Sequence, residues 1–596
     1  MAVAYTAEAP SISLTGRPWI LREADDRQVL AMVQKHGLPE MLSRILVARG
    51  VGLDEVEDFM NPSLKALMPD PSHLLDMDAA AARVAQAVMA GERIAIFGDY
   101  DVDGATSSAL LVHFLRALGG EPIVYIPDRM KEGYGPNTEA LLSLKERGAS
   151  LVITVDCGTL SFEPLEAAHQ AGVDVIVIDH HQGEARLPKA YAVVNPNRLD
   201  ESSPHRHLAA VGVSFLLAVA VNRALRAQGW FEGKREPDLR QWLDIVALGT
   251  VCDVVPLIGV NRALVAQGLK VMAGRGNLGM RTMLDMAKID DRPGVYHAGF
   301  VLGPRINAGG RVGKSDLGVR LLTSQDETEA KALAKELEQH NAERKSIEAA
   351  VLEEAQLQAE RLDESSPMIL VSGKGWHPGV IGIVAGRLKE RFHKPVAVLG
   401  VDGGVGKASA RSVTGFDFGA AVIAARDMGL LLAGGGHAMA AGFTVEEGKI
   451  PALTEFLSTR VRAQVKDTVA QKRLFLDCML GISGATPELV EQMERLGPFG
   501  QANPSIRVVI QNVVNLKPDV VGQDHIRTLL VDRLSNARLS AISFRSMGTS
   551  LGEALLSTRG QVLDVAGQLR LQDWNGKQSL SFQIDDIARA SMQPEG

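Results

Sequence analysis

The chain has 596 residues, 46% of them hydrophobic and 22% charged, with a formal net charge of −8. That is the composition of an ordinary soluble globular protein with room for three or four domains. The net acidity argues against a general nucleic-acid coat but leaves room for a local basic groove, because binding follows where lysines and arginines cluster. Cys157, Cys252 and Cys478 have no paired or metal-type spacing, which argues against a disulfide framework or a zinc module. No basic segment with a long apolar core opens the chain, and the longest apolar stretch, 208–221, is too short to span a bilayer. A cytoplasmic protein without a membrane partner is expected.

Residues 1 to about 75 read as a helical N-terminal extension closed by Pro69-Asp70-Pro71. An α/β domain is expected over 76–323. Its apolar run Ile94-Ala95-Ile96-Phe97 leads into Gly98-Asp99-Tyr100-Asp101-Val102-Asp103-Gly104, the run 151–155 into Asp156-Cys157-Gly158, and the run 173–178 into Asp179-His180-His181. Amphipathic stretches at 106–118 and 162–171 separate these strands, and such alternation implies a parallel sheet, whose sites lie beyond the carboxyl ends of its strands. Asp253, after the helical stretch 239–249, is a further candidate ligand. Arg129 lies in a cationic segment near the first half of the site. The segment 303–311 reads as a glycine-arginine loop whose Arg305 and Arg311 could grip phosphates bidentately.

A long connector helix is expected over 324–365, opened by the capping box Ser324-Gln325-Asp326-Glu327 and stopped near Ser365-Ser366-Pro367. If continuous, its roughly 38 residues would span about 57 Å and join two lobes; two shorter helices of one bundle are the alternative. A second α/β lobe follows over 366–462. It has strands at 368–371 and 395–399 and two glycine-rich loops, 403–412 and 434–442, where Ser409, Arg411 and His437 could meet a phosphate. The remainder, 463–596, is β-rich, with strands at 506–510 and 528–531 and a hairpin signal at Asn575-Gly576; a small barrel of OB-fold type suits it. Its aromatics are few, Phe499, Trp574 and Phe582 among them. The expected fold class is therefore α/β, two lobes joined by a long helix, plus a C-terminal β-barrel.

Three carboxylates on alternate residues repel one another strongly unless a cation sits among them. A calcium EF-hand loop also begins with this spacing, but it needs a glutamate at its twelfth position, here Leu110, and is entered from a helix. Hard carboxylates with one imidazole suit Mn²⁺ or Mg²⁺. Four aspartates could hold two cations, which at about 3.5–4 Å apart stabilise the attacking and leaving oxygens of an in-line phosphoryl displacement. One histidine of the 179–181 triplet can be a ligand while the other faces the substrate.

With Asp101-Val102-Asp103, Asp156, Asp179-His180-His181 and Asp253 in this order, the chain resembles the DHH phosphoesterase superfamily, and 434–442 looks like the signature loop of its DHH-associated domain. The phrases 98–104, 249–257, 303–311 and 497–504 are similar to those of its bacterial single-strand-specific 5′-to-3′ DNA exonucleases, a resemblance covering nearly everything after about residue 40. It implies Asp101, Asp103, Asp156, His180 and Asp253 as metal ligands and His181 on the scissile phosphate, with Asp99 as a ligand or a supporting acid. It further implies Arg129, Arg305, Arg311, Ser409, Arg411 and His437 on the strand or its 5′-phosphate. Two Mn²⁺ or Mg²⁺ ions, a single-stranded DNA substrate, and a single-strand-binding protein and a helicase as partners in recombinational repair complete that expectation. The small-substrate phosphatases of the superfamily are the alternative, but they carry a histidine four residues before the first motif aspartate, where Phe97 stands here. A catalytically dead binding module would have lost motif acids, and all are present.

Overall fold

The structure, a computed structural model, describes residues 12–590 apart from 130, 364, 466–472, 534, 575 and 576. The chain forms two compact units, Leu67–Val469 and a second made of Met1–Ala66 with Ala470–Gly596.

In the larger unit, five short apolar runs rich in β-branched residues form a parallel sheet: β1 (Ile94–Gly98), β2 (Ile123–Tyr125), β3 (Leu151–Val155), β4 (Asp174–Ile178) and β5 (Ala192–Val194). β1 and β3 are buried throughout, as strands covered on both faces must be. The order is β2-β1-β3-β4-β5, all parallel. The chain leaves β1 for β2 on one side and returns to β3 on the other, so the order reverses between β1 and β3. Such a switch point is where an open α/β sheet leaves a crevice for a site. The acids after β1 and β3 flank it.

Four helices frame the crevice: α1 (Val102–Ala117), α2 (Ala210–Ala227), α3 (Leu243–Cys252) and α4 (Gly303–Val312). α1 begins earlier than its apolar period suggests because Asp101 caps it, accepting from the amides of Asp103 and Gly104. The apolar stretch 208–221 extends into α2, which at 18 residues is long and apolar enough to cross a membrane; it is instead mostly buried inside this unit. Residues 303–311 are helix α4, not a loop. Their glycines serve close packing: a Cβ on Gly310 would stand 2.6 Å from the Tyr100 carbonyl oxygen, and one on Gly303 would stand 2.5 Å from Cys252 Sγ.

The connector is one helix, α5 (Glu327–Glu360), whose 34 residues span about 51 Å. Its cap is Asp326, which accepts from Glu329 N, so the expected box at Ser324 is displaced; Ser324 Oγ instead bonds the Glu329 carboxylate. α5 packs against α4 and, further on, against β6 (Ile369–Lys374) and α6 (Pro378–Phe392). β7 (Val396–Asp402), β8 (Val405–Arg411), β9 (Ala433–His437) and β10 (Ala440–Glu446) complete a second sheet, ordered β9-β10-β8-β7-β6. Both expected glycine-rich loops are thus β-hairpins. Gly403 and Gly404, at φ +55° and +79°, make the first turn, which leaves Ser409 and Arg411 on a strand.

The second unit holds β11 (Cys478–Leu480), β12 (Val508–Asn515), β13 (Asp519–Val521), β14 (His525–Asp532), β15 (Arg538–Ser543), β16 (Val562–Trp574) and β17 (Lys577–Arg589). Pairings β12–β14, β14–β15, β15–β17, β17–β16 and β16–β12 close a five-stranded ring, with only β15–β17 parallel, the connectivity of an OB-fold. The Asn575-Gly576 turn and the Trp574 side chain lie outside the described residues; the flanking strands pair antiparallel up to Trp574 and Lys577. Phe582 is fully buried and Phe499 packs on the barrel core. The N-terminal segment is not wholly helical, since Trp19–Leu21 is a strand paired with Leu474–Leu476.

Candidate metal centre and phosphate cleft

Beyond the carboxyl ends of β1, β3 and β4 the structure brings together all the acids and both histidines singled out above. Asp156 and the two histidines form one group of potential ligand atoms, Asp103, His180 and Asp253 a second, and Asp99, Asp101 and Asp156 a third, the atoms of each lying within 4.8 Å of one another. His180 links the first two: its Nε2 is 3.3 Å from Asp156 Oδ1 and 3.9 Å from Asp103 Oδ2, and its Nδ1 is 3.6 Å from Asp253 Oδ2. Asp156 belongs to the first and third groups and so is shared between two sets of potential ligand atoms. It sits at φ +62°, in the left-handed region that aspartate tolerates better than most residues.

Each acid is held by a local reason. Asp103 accepts from the amides of Ala210 and Val211, the N-terminus of α2, at 2.7 and 2.9 Å, where the helix dipole favours a carboxylate. Asp253 caps the end of α3. Gly104 lets α1 approach the strand end, since a Cβ there would stand 2.3 Å from the Asp99 carbonyl oxygen.

The electrostatics are those of a cluster wanting cations. Burial, and then the charge of Asp101, pushes Asp103 up to about 7; burial and the charges of Asp103 and Asp101 push Asp253 up to about 9. Asp99 and Asp156 are raised well above the carboxylate range, again by burial first and neighbouring acids second. Burial lowers His180 to about 4, which leaves the imidazole neutral, the form able to bind a cation. Asp99 Oδ1, Asp156 Oδ1 and Asp253 Oδ2 are buried and find no hydrogen-bond partner among the described residues. In folded proteins most buried polar atoms find a hydrogen-bond partner. Three orphaned carboxylate oxygens beside a neutral imidazole fit hard divalent cations such as Mn²⁺ or Mg²⁺.

Two residues to which the sequence analysis assigned no individual role organise the centre. Asp179 accepts from the amides of His180 (2.7 Å), His181 (3.1 Å) and Thr159 (3.0 Å) and lies 2.8 Å from His181 Nδ1. Burial disfavours a charged His181, but the bond to Asp179 and the surrounding acids outweigh it and raise the imidazole to about 9. Tyr134 donates to the Asp156 carbonyl at 3.1 Å and lies 3.2 Å from His181 Nδ1. The signal for Asp179 was its place in the triplet at a strand end; nothing local marked Tyr134.

Beside this centre a cleft of about 630 Å³ is lined by Arg129, Arg311, Lys407, Ser409 and Arg411, with Gly436 and Gly442 from the second hairpin. None of these three arginines has an acidic partner within ion-pair distance among the described residues. Burial, then the charges of Arg129 and Arg344, lower Arg311 to about 10, and burial and Arg129 lower Arg411. Several cations without acidic partners around one crevice suit a polyanion. Arg129 also stands over the Tyr100 ring at 4.9 Å, which ties the cleft to the carboxylate loop. Arg305 is not in this cleft: Glu338 of α5 engages its Nε at 2.5 Å and it donates to the Val301 carbonyl. His437 ends β9, exposed, and does not line the cleft.

Comparison with known proteins agrees with this architecture. The DHH family N-terminal domain matches residues 93–250, the DHHA1 domain 365–463 and the RecJ OB domain 476–586. The single-stranded-DNA-specific exonuclease RecJ of Salmonella typhimurium is 36% identical over 95% of this chain and 98% of its own length. The chain belongs to the RecJ family. The RecJ of Bacillus subtilis is 34% identical over 96% of this chain and 71% of its own. A crystal structure of Thermus thermophilus RecJ in complex with Mn²⁺ superposes with a TM-score of 0.79 at 29% identity, covering 97% of this chain and 80% of that one. The same protein with Mg²⁺ gives 0.75. The Thermus thermophilus protein thus takes both ions that the donor set here fits.

Proposed function

We propose that the chain degrades single-stranded DNA from its 5′ end, releasing 5′-mononucleotides, and that it acts in the cytoplasm in DNA recombination and repair. The observation that carries this reading is the meeting of a carboxylate–imidazole centre with an arginine cleft on one α/β framework. On this reading 76–323 is the DHH catalytic domain, 324–365 the connector, 366–462 the DHH-associated domain, 463–596 the strand-binding OB-fold and 1–75 an N-terminal extension.

Asp101, Asp103, Asp156, His180 and Asp253 hold two divalent ions, Mn²⁺ or Mg²⁺, with Asp99 beside them. When bound, such ions supply Lewis-acid polarisation of the phosphoryl group and activation of water. The residues do the rest. Arg129, Arg311, Arg411 and Ser409 seat the 5′-phosphate, which places the following phosphodiester over the acids. Asp179 fixes the His181 ring through Nδ1, leaving Nε2 as the nitrogen able to meet an oxygen of the scissile phosphate. Water attacks phosphorus in line, the bond from phosphorus to the 3′ oxygen breaks, and the leaving oxygen takes a proton. The strand would pass between the two lobes whose spacing α5 sets, and a gap too narrow for duplex would account for strand selectivity. A single-strand-binding protein and a helicase are the expected partners.

The test is digestion with Mn²⁺ or Mg²⁺ of matched single- and double-stranded DNA labelled at either end. Immediate release of mononucleotide from the 5′ end of single strands alone is the expected result. Phosphate release from pyrophosphate, or cleavage of dinucleotides without attack on DNA, would move the chain to the small-substrate branch.

A further inference from the structure

Phe300 and Tyr296 are among the most exposed large apolar side chains of the described residues, at 72% and 66%. Their rings stack, with centroids 5.3 Å apart and planes 22° apart. Both stand on a helical turn, continued by His297–Leu302, that runs into α4 with helical backbone at every step. Between them the chain is fastened beneath the metal centre. Cys252 Sγ donates to the Ala298 carbonyl at 3.5 Å, and a Cβ on Gly299 would meet Val251 Cγ1 at 3.3 Å. The next residue of that fastened helix end is Asp253. Val254 beyond it is 66% exposed and held at φ +59°, a conformation costly for a β-branched residue. At the far end of the same helical run Arg311 enters the phosphate cleft, roughly 16 Å from Phe300 along the axis. One helical run therefore carries an exposed aromatic pair, between its two members the support of Asp253, and further on an arginine of the cleft.

We propose that Tyr296 and Phe300 form a stacking platform for bases downstream of the scissile bond, an inference that rests on the exonuclease reading. A strand whose 5′-phosphate is held near Arg311 and whose first phosphodiester lies over the acids continues past Asp253 towards the platform. Bases stack on aromatic faces with little regard to sequence, which suits an enzyme that must accept every nucleotide. In duplex the base faces are already occupied, so the platform also discriminates against paired DNA.

The test compares KM and kcat for wild type and the Tyr296→Ala/Phe300→Ala double variant, on long 5′-phosphorylated single strands and on a 5′-phosphorylated dinucleotide. KM for the long strand should rise about tenfold, and KM for the dinucleotide, too short to reach the platform, should rise less than about twofold. Phe300→Trp should keep wild-type KM and show fluorescence quenching when a long strand binds. Met428→Ala, an equally exposed apolar site on the second lobe, should change neither value. Wild-type KM in the double variant, equal losses on both substrates, or indole fluorescence of the Phe300→Trp variant that is indifferent to DNA overturns the platform. If wild-type protein leaves single strands intact, the exonuclease reading fails first and the platform with it.

Discussion

Replacing Arg411 by alanine tests the phosphate cleft most directly. The guanidinium lies on β8 with its Nη1 2.9 Å from the Ala410 carbonyl and 3.3 Å from Ser409 Oγ. Burial and Arg129 lower its pKa, and no acid lies within ion-pair distance of it among the described residues, the situation expected of an arginine proposed to meet a phosphate. A charge-assisted hydrogen bond to phosphate contributes about 1.5–3 kcal/mol, so affinity should fall roughly 10- to 150-fold. One neutralised phosphate fewer should also flatten the plot of log affinity against log salt by about 0.7 for a single strand. The assay is fluorescence anisotropy over a salt series with 5′-phosphorylated and 5′-hydroxyl oligonucleotides. The loss should be large for the phosphorylated strand and small for the other, and the melting temperature should not fall. Unchanged affinity and salt slope, or equal losses on both strands, would refute the reasoning and return Arg411 to a structural role.

Other changes reach the centre by different routes. Asp156→Ala should abolish both turnover and Mn²⁺ binding by calorimetry while leaving strand binding largely intact; preserved hydrolysis would remove Asp156 from the ligand set. Chelation should stop wild-type digestion, with Mn²⁺ or Mg²⁺ restoring it. Gly310→Ala would place a methyl 2.6 Å from the Tyr100 carbonyl oxygen, so α4 must shift from the carboxylate loop at a cost of about 1–3 kcal/mol, lowering both melting temperature and activity. Gly276→Ala, with no atom within 4 Å of the added carbon, is its control. Asp244, buried at the start of α3, is raised to about 7 by desolvation. The folded protein therefore keeps this proton while the unfolded chain loses it near pH 4, and stability should fall by up to about 1.4 kcal/mol per pH unit between about pH 4 and pH 7, then level off. Asp244→Asn should remove this slope, seen as a smaller change in melting temperature across that window.

Much of the centre was legible in the sequence because it is written where strand patterning ends. Apolar runs followed at once by Asp99, Asp101, Asp103, Asp156, His180 and His181 place those side chains at strand ends, and a parallel sheet gathers its strand ends on one edge. The length of α5 was readable for a similar reason, since its period has no glycine or proline to interrupt it. Glycine misled. At 303–311 it signalled a loop by composition, yet Gly303 and Gly310 are there because Cys252 and Tyr100 press against a helix, a demand made by neighbours about 50 and 210 residues away in sequence. Arginine misled in the same way, because Arg305 and Arg311 sit on one helix at positions that composition treats alike. Glu338 of α5 claims the first, while the second opens into the cleft.

Residue type and local period thus determined which chemistry this chain could carry and at which strand ends its acids would stand. Which arginines are free for a phosphate, how Asp179 and Tyr134 position His181, and the exposure of the Tyr296–Phe300 pair were decided by tertiary packing alone. These depend on which distant side chains arrive to neutralise, support or cover each group, and burial and ion pairing are properties of the neighbourhood, not of the residue.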